Sequence, residues 1–298
     1  MTRRADSTVH GLAVVDKPSG WTSHDVVAKS RGLLGTRKVG HSGTLDPDAT
    51  GVLLLGVGDA TRLLRFMGDL PKSYECELVL GVTTSTLDAA GDVTGTFHMD
   101  VTEAEVAGAA LAFVGPIEQI PPMVSAIQIG GRRLHELARE GIEVERAPRP
   151  VIIHGLTTAP TPDPLVYRLE VTCSSGTYVR TLADDLGRAL GGGAHLRALR
   201  RTAIGPHTAE GATALDDLSP ASLLPAAAAV AHLVTVTVDD DGMAAVRVGK
   251  ALPLDALGVA ADSGPWAVLG SDGGLVAVYE LFRAELAKPA VVLTSAAK

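Results

Sequence analysis

The stretch from Gly40 to Gly51 (GHSGTLDPDATG) gathers three glycines, one proline, one histidine and two carboxylates within twelve residues. It runs straight into Val52-Leu53-Leu54-Leu55, so a polar loop is attached to a buried segment. Asp46 precedes Pro47, which biases it toward an extended or turn conformation. Gly43 and Gly51 permit backbone angles that bulkier residues resist. A carboxylate displayed this way can act as nucleophile, general base or metal ligand. Asp-Pro alone is also a common turn, so the case for chemistry at Asp46 rests on what accompanies it.

Other residues could share that chemistry. Arg37 and Lys38 precede the loop and could meet phosphate, although a solvated turn is the plainer reading. Tyr74 opens the segment Glu75–Leu80 and falls on the same face as Cys76, Leu78 and Leu80; it is core, or a stacking surface for a planar substrate. Arg180 lies in the first turn of an expected helix, beside the positive end of the helix dipole, and calls for an anionic partner. Asp184 is the local candidate and a remote active-site carboxylate the other. Residues 130–150 carry Arg132, Arg133, Arg139, Arg146 and Arg149 with four glutamates. That is an exposed helix–loop arm laced with ion pairs, or an RNA-gripping insertion; periodicity does not separate the two. Arg197, Arg200 and Arg201 form a short basic run.

The elements that would position these residues follow from pattern. Gly11–Val15 reads as a buried strand ended by Asp16-Lys17-Pro18-Ser19-Gly20. Thr22 and Asp25 have capping-box spacing, and the helix they open runs to about Leu34. A short helix is expected around Arg62–Phe66, a turn-rich connection over 83–95, and a helix through Val106, Ala110 and Phe113 after the cap candidates Asp100 and Thr102. Val166–Cys173 alternates, placing Tyr167, Leu169, Val171 and Cys173 inward. A helix with Val179, Leu182, Leu186 and Leu190 follows, closed by Gly191-Gly192-Gly193. Beyond a boundary within 206–225, short strands at 233–238, 266–269, 275–279 and 291–293 fit a small β-barrel-like domain.

With 298 residues and 46% apolar content, the chain can bury a large core, and two domains are expected. Cys76 and Cys173 are too few for a disulfide framework or a multi-cysteine zinc site and read as reduced core thiols. No signal-peptide pattern opens the chain and no apolar run is long enough to span a bilayer, so a cytoplasmic location is expected. Net charge is −8, but its distribution is uneven. Residues 1–72 hold ten Lys/Arg against seven Asp/Glu, and 178–205 five against two; from Pro206 onward five basic residues face eleven acidic ones. The first two-thirds can still present a basic surface to nucleic acid.

In order along the chain, Asp16-Lys17-Pro18-Ser19-Gly20-Trp21-Thr22-Ser23, Gly40–Gly51, Lys72-Ser73-Tyr74, Gly176-Thr177-Tyr178-Val179-Arg180-Thr181, Gly193-Ala194-His195-Leu196 and Leu199-Arg200-Arg201-Thr202 resemble the TruB-type transfer-RNA pseudouridine synthases. The resemblance implies an α/β (α+β) fold: a mixed, largely antiparallel sheet flanked by helices over 1–229, with an RNA-binding arm at about 124–150. A PUA-like RNA-binding domain over 230–298 completes it. It implies isomerisation of uridine-55 in the T loop of transfer RNA by base flipping, with no cofactor and no metal. Asp46 would be the essential carboxylate and Arg180 the cation paired with it. Tyr74 would stack on the flipped uracil and assist proton transfer at C5. His41 would fill the place bases vacate, and Leu199 would line the pocket. Tyr178, Arg37, Lys38, Arg132, Arg146 and Arg149 complete the expected RNA-binding set. The expected partner is transfer RNA alone, with no guide RNA and no membrane, and the protein a monomer. Asp48 misses the motif position. Val124, Gln128 and His135 depart from the family's usual aromatic, lysine and tyrosine in the arm.

Three other functions compete. A non-catalytic RNA-folding factor would not need Asp46, Tyr74 and Arg180 together. A guide-RNA-dependent pseudouridylase often carries basic extensions, which this acidic chain lacks. A carboxylate glycosidase would need a second acid, for which only Asp48 and Asp88 are candidates.

Overall fold

Thr22 caps the first helix through both arms of a capping box with Asp25, and this fixes where the first strand hands over to that helix. The computed structural model describes residues 9–125 and 127–293; the side chain of His135, one of the expected arm departures, lies outside what it describes. The chain divides into two compact units: the chain up to Pro47 with Gly51–Asp69 and the chain from Gly205 onward, and Asp48–Thr50 with Leu70–Ile204.

In the first unit, β1 (Gly11–Lys17) pairs antiparallel with β3 (Thr50–Val57) from Gly11↔Val57 to Lys17↔Gly51. β2 (Val39–Ser42) pairs with β3 on its other side, and Thr213–Ala214 runs parallel to β1. β3 is buried from Gly51 to Val57, which explains its unbroken aliphatic run. α1 (Ser23–Leu33) lays Val26 and Val27 against Val15, Leu53 and Leu55. The β2–β3 connection is therefore the Gly43–Ala49 loop, with Asp46 at its centre. Gly43 (φ 74°) and Gly51 (φ 100°) take left-handed angles at its two ends.

The C-terminal segment of the same unit forms a five-stranded sheet in the order Val234–Thr237, Trp266–Leu269, Leu275–Arg283, Leu286–Val292, Leu252–Pro253. Trp266 and Tyr279 are fully buried in its core, yet each keeps its polar end bonded: indole Nε1 donates to Ser263 Oγ (2.9 Å) and the Tyr279 hydroxyl to the Lys250 carbonyl (2.8 Å). The sheet curls as a half-barrel, as expected for the small C-terminal β domain.

The second unit centres on an antiparallel series: β12 (Ala194–Ile204), β4 (Lys72–Leu80), β11 (Val166–Cys173), β10 (Arg149–Pro160) and β7 (Gly115–Gln119). α2 (Glu103–Ala112, capped by Thr102 with Glu105) and α4 (Val179–Ala189) share the core with Leu78, Leu169 and Val171, to which α4 adds Leu182. Cys76 and Cys173 lie inside it as free thiols, and burial pushes them up to about 12 and about 11.

Three expectations change. The helix expected near Arg62–Phe66 is a 3-10 helix over Gly58–Met67. The turn-rich 83–95 connection contains a hairpin, β5 (Val82–Thr84) with β6 (Val93–Thr96). The basic run Arg197–Arg201 lies inside β12, where Arg201 is buried and Arg197 pairs with Glu77 at 2.8 Å. Charge hid that strand because the partner of Arg197, Glu77, comes from β4, far away in sequence. In the arm, β8 (Gln128–Ile129) and β9 (Arg132–Arg133) make a two-stranded turn before α3 (Leu134–Arg139). Among the described residues no helix is long and apolar enough to cross a membrane.

Candidate active site

The Asp46 loop is clamped on both sides of the aspartate. On the N-terminal side, the Leu45 N–H donates to Ser23 Oγ (3.0 Å), and the Ser23 hydroxyl returns a longer bond to the Leu45 carbonyl (3.3 Å). On the C-terminal side, the Pro47 carbonyl accepts from the Gly20 N–H (3.0 Å) and from Lys17 Nζ (2.8 Å). Lys17 is fully buried, and its ammonium also donates to the carbonyls of Trp21 (2.7 Å) and Pro18 (2.9 Å). A buried cation is tolerable only when its donors are used, and here three carbonyls use them. The loop backbone is therefore fixed by the β1–α1 turn, with Asp46 half-buried and Asp48 exposed. Sequence reasoning included Lys17 and Ser23 in the motif but gave them no role. His41 lies on β2, its ring edge-to-face with His24 at 5.3 Å between centroids. Arg37 is exposed, and Lys38 pairs with Asp59, so part of its charge is already matched within the fold.

The second unit builds a cradle around Arg180. α4 has no side-chain cap; instead the buried Gln119 amide bonds both sides of the Tyr178 peptide, accepting from the Tyr178 N–H (3.0 Å) and donating to its carbonyl (3.2 Å). Arg180, buried two residues on, donates through Nη1 to the Thr86 carbonyl (3.0 Å) and Asp88 Oδ2 (3.1 Å), and through Nη2 to the Val124 carbonyl (2.9 Å). Asp88 is held in turn by the Thr86 hydroxyl (2.5 Å) and the Ala90 N–H (3.1 Å). A planar guanidinium suits such divergent acceptors better than an ammonium would. The local candidate, Asp184, gives its carboxylate to Arg188 instead (2.8 Å). Asp88, weighed only as a glycosidase acid, is thus a carboxylate facing Arg180, and Gln119, Thr86 and the Val124 carbonyl are cradle members that the sequence reading missed.

Tyr74 on β4 is half-buried against the second unit's core, opposite Val171 on one side and Arg201 on the other. Leu199 on β12, opposite Cys76, packs against the same core. Tyr74, Leu199, Tyr178 and Arg180 therefore belong to one unit, whereas Asp46 and His41 belong to the other. In the arm, Arg132 pairs with Glu140, Arg146 with Glu143 (3.6 Å) and the Pro121 carbonyl (3.3 Å), and Arg149 is exposed at the start of β10. Among the described residues no three His, Cys, Asp or Glu side chains converge as a metal site requires.

Residues 31–179 match the TruB family pseudouridylate synthase N-terminal domain, and residues 180–234 match the tRNA pseudouridylate synthase B C-terminal domain. The chain is 50% identical over 250 residues to a tRNA pseudouridine synthase B of Symbiobacterium thermophilum, covering 82% of this chain and 83% of that one. It is 43% identical over 291 residues to the protein of the same name from Thermobifida fusca, covering 95% and 98%. Among solved structures it is similar to a chain of a Cbf5-Nop10-Gar1 complex, with a TM-score of 0.74 and 28% identity over 92% of this chain and 79% of that one.

Proposed function

The chain belongs to the TruB family of pseudouridylate synthases, and from that premise we propose that it converts uridine-55 in the T loop of transfer RNA to pseudouridine, with Asp46 as the essential carboxylate. The observation that carries the reading is the anchoring of Leu45 and Pro47 around Asp46, which presents one half-buried carboxylate on a backbone fixed from both sides.

The chemistry is an isomerisation. The uracil N1–C1′ bond breaks, the base turns over and C5 bonds to C1′; C5 gives up its proton and N1 gains one. Atoms and electrons balance without an oxidant, so no redox cofactor is called for. Asp46 either attacks C1′ or removes the C2′ proton, and both roles need it ionised. Arg180 is the cation that keeps it so, since a neighbouring guanidinium favours the charged form of a carboxylate. Tyr74 stacks on the flipped uracil and serves proton transfer at C5, while Leu199 and Tyr178 border the base. His41 occupies the place the base leaves, which offsets part of the flipping cost of a few kcal/mol.

The remaining partners follow from the same reading. Arg37, Lys38 and the arm arginines Arg132 and Arg149 meet the RNA backbone, while Arg146, expected among them, is held by the Pro121 carbonyl and Glu143 and serves the arm's own structure. A catalytic part over 1–229 is followed by a PUA-like RNA-binding part over 230–298. The protein works in the cytoplasm as a monomer, on transfer RNA without a guide. One similar solved structure is an H/ACA RNP bound to a substrate RNA containing 2'-deoxyuridine; this chain is proposed to act without any such assembly. Purified protein incubated with an unmodified transfer-RNA transcript, and nothing else, should form pseudouridine at position 55. Modification elsewhere, or only on adding a guide RNA, overturns the assignment.

A further inference from the structure

From Pro206 onward the chain holds only five basic residues against eleven acidic ones, yet two of the five converge on one exposed aromatic ring. Phe282 is the penultimate residue of the long strand Leu275–Arg283 of the C-terminal sheet and is 44% exposed, next to Leu281 at 46%. Arg283 Cζ lies 5.0 Å from the centre of its ring and Lys288 Nζ 4.6 Å. Lys288 stands opposite Glu280 in the strand pairing, which would ordinarily give a cross-strand ion pair. Glu280 is engaged elsewhere: its carboxylate pairs with Arg65 of the 3-10 helix, and Arg65 in turn lies 4.7 Å from the ring of Phe66. Arg62, one turn earlier, donates to the Val292 carbonyl of the neighbouring strand (2.7 Å). Neither Arg283 nor Lys288 is in an ion pair among the described residues, and Glu285 in the intervening turn pairs with neither.

Two like charges gathered at one ring repel each other, and the ring quadrupole attracts each only modestly at an exposed site. An anion between them relieves that repulsion. A phenyl ring carrying a guanidinium also makes a flat platform on which any nucleobase can stack, while the cations take the flanking phosphates. An acidic peptide would use the cations but leave the ring without a role.

We propose that the Phe282–Arg283–Lys288 hairpin is a second RNA contact of this enzyme: an unpaired nucleotide of the substrate transfer RNA stacks on Phe282 and Arg283, and Arg283 and Lys288 hold its phosphates. This rests on the proposed transfer-RNA substrate. It adds a recognition site on the C-terminal sheet that involves none of the residues assigned to chemistry.

The test uses the full-length protein and an unmodified full-length transfer-RNA transcript, with affinity measured over a series of salt concentrations. Arg283→Gln/Lys288→Gln should reduce the slope of log affinity against log salt by about 1.4 to 1.8, the value for two lost phosphate contacts. Phe282→Leu should weaken binding roughly tenfold and leave the slope unchanged, because it removes stacking without removing charge. Phe282→Trp should bind as wild type, with its indole emission quenched on adding RNA. All three positions are exposed, and the near-ultraviolet signal of buried Trp266 reports that the sheet stays folded. Wild-type slope and affinity in the double and Leu variants overturn the inference while leaving the catalytic assignment standing. A reduced slope with wild-type binding by Phe282→Leu overturns the stacking and leaves only a polyanion contact. A wild-type protein that neither binds nor modifies the transcript overturns this inference and the functional reading together.

Discussion

The Asp46 loop and the Arg180 cradle each hold one charged side chain in place, and they do so by different means. The loop is fixed by partners 22 and 30 residues away, Ser23 and Lys17, all within one turn of chain. The cradle is assembled from Thr86, Asp88 and Val124, which are 94, 92 and 56 residues from Arg180. Two of its three acceptors are backbone carbonyls, which any residue could supply. A loop anchored by side chains from a neighbouring turn leaves a motif in the sequence; a cradle of carbonyls leaves almost none. The comparison also separates two kinds of fragility, since the loop depends on particular donors and the cradle on the path of the backbone.

The largest expected effect tests which region carries the chemistry. Asp46→Asn keeps the shape and removes the charge, so pseudouridine formation should fall at least about a thousandfold while transfer-RNA affinity stays near wild type. Single-turnover assays and a binding titration measure the two. Asp48→Asn, on the exposed side of Pro47, should remain active; an inactive Asp48→Asn beside an active Asp46→Asn would mean that the wrong carboxylate of the loop was assigned.

Arg180 comes next. If it keeps Asp46 ionised, Arg180→Met should move the acidic limb of the single-turnover pH–rate profile upward by about one to two units. The sign follows from the charge: a carboxylate that loses a nearby cation holds its proton to higher pH, so less of the active form exists near neutrality. Arg180→Lys keeps a charge but cannot reach three divergent acceptors, and should recover the limb only in part. Asp184→Asn should leave the limb in place, because Asp184 is paired with Arg188. An unmoved limb in a folded, RNA-binding Arg180→Met protein would reassign this arginine to RNA phosphate.

Lys17 sharpens the contrast from the side of stability. Lys17→Met leaves the carbonyls of Pro18, Trp21 and Pro47 without their shared donor, which should cost about 3 kcal/mol in urea unfolding. Ser23→Ala removes one neutral bond and should cost about 1 kcal/mol. Both should lower kcat more than they raise KM, because neither residue needs to touch substrate to misplace Asp46. Wild-type kcat in a folded Lys17→Met protein would show that the loop holds its geometry without the buried ammonium.

How far the sequence could be read follows the same division. The Thr22–Asp25 capping box, the inward alternation of Val166–Cys173 and the short C-terminal strands were visible because each signal is local. β12 was not, since Arg197 and Arg201 break the expected pattern and their acceptability depends on the neighbouring strand and the buried interior. Asp88 reads from the sequence as a carboxylate but not as a partner of Arg180, because nothing near it in sequence points to a helix 92 residues away. Gln119 is not legible for a related reason: a lone amide near a strand end does not announce that it will replace a missing helix cap.

The arm holds the smallest effects, and its three expected RNA-binding arginines should not behave alike. Arg146 keeps a side chain only 19% exposed, donates to the Pro121 carbonyl and faces Glu143. Its cation is largely spent inside the fold, so Arg146→Ala should lower stability by about 1 kcal/mol and barely change the salt dependence of transfer-RNA binding. Arg132 is about half-exposed and paired with an equally exposed Glu140; such pairs contribute little and exchange readily for phosphate. Arg149 is exposed at the start of β10 with no ion pair among the described residues. Each arginine that meets a phosphate should contribute about 0.9 to the slope of log affinity against log salt. Arg149→Ala and Arg132→Ala should therefore each flatten the slope by up to that amount, Arg149→Ala most. A full loss of slope in Arg146→Ala with unchanged stability would mean that RNA draws this side chain away from Pro121. The arm would then resemble the Arg180 cradle less than the Asp46 loop, with one side chain rather than the backbone path deciding its function.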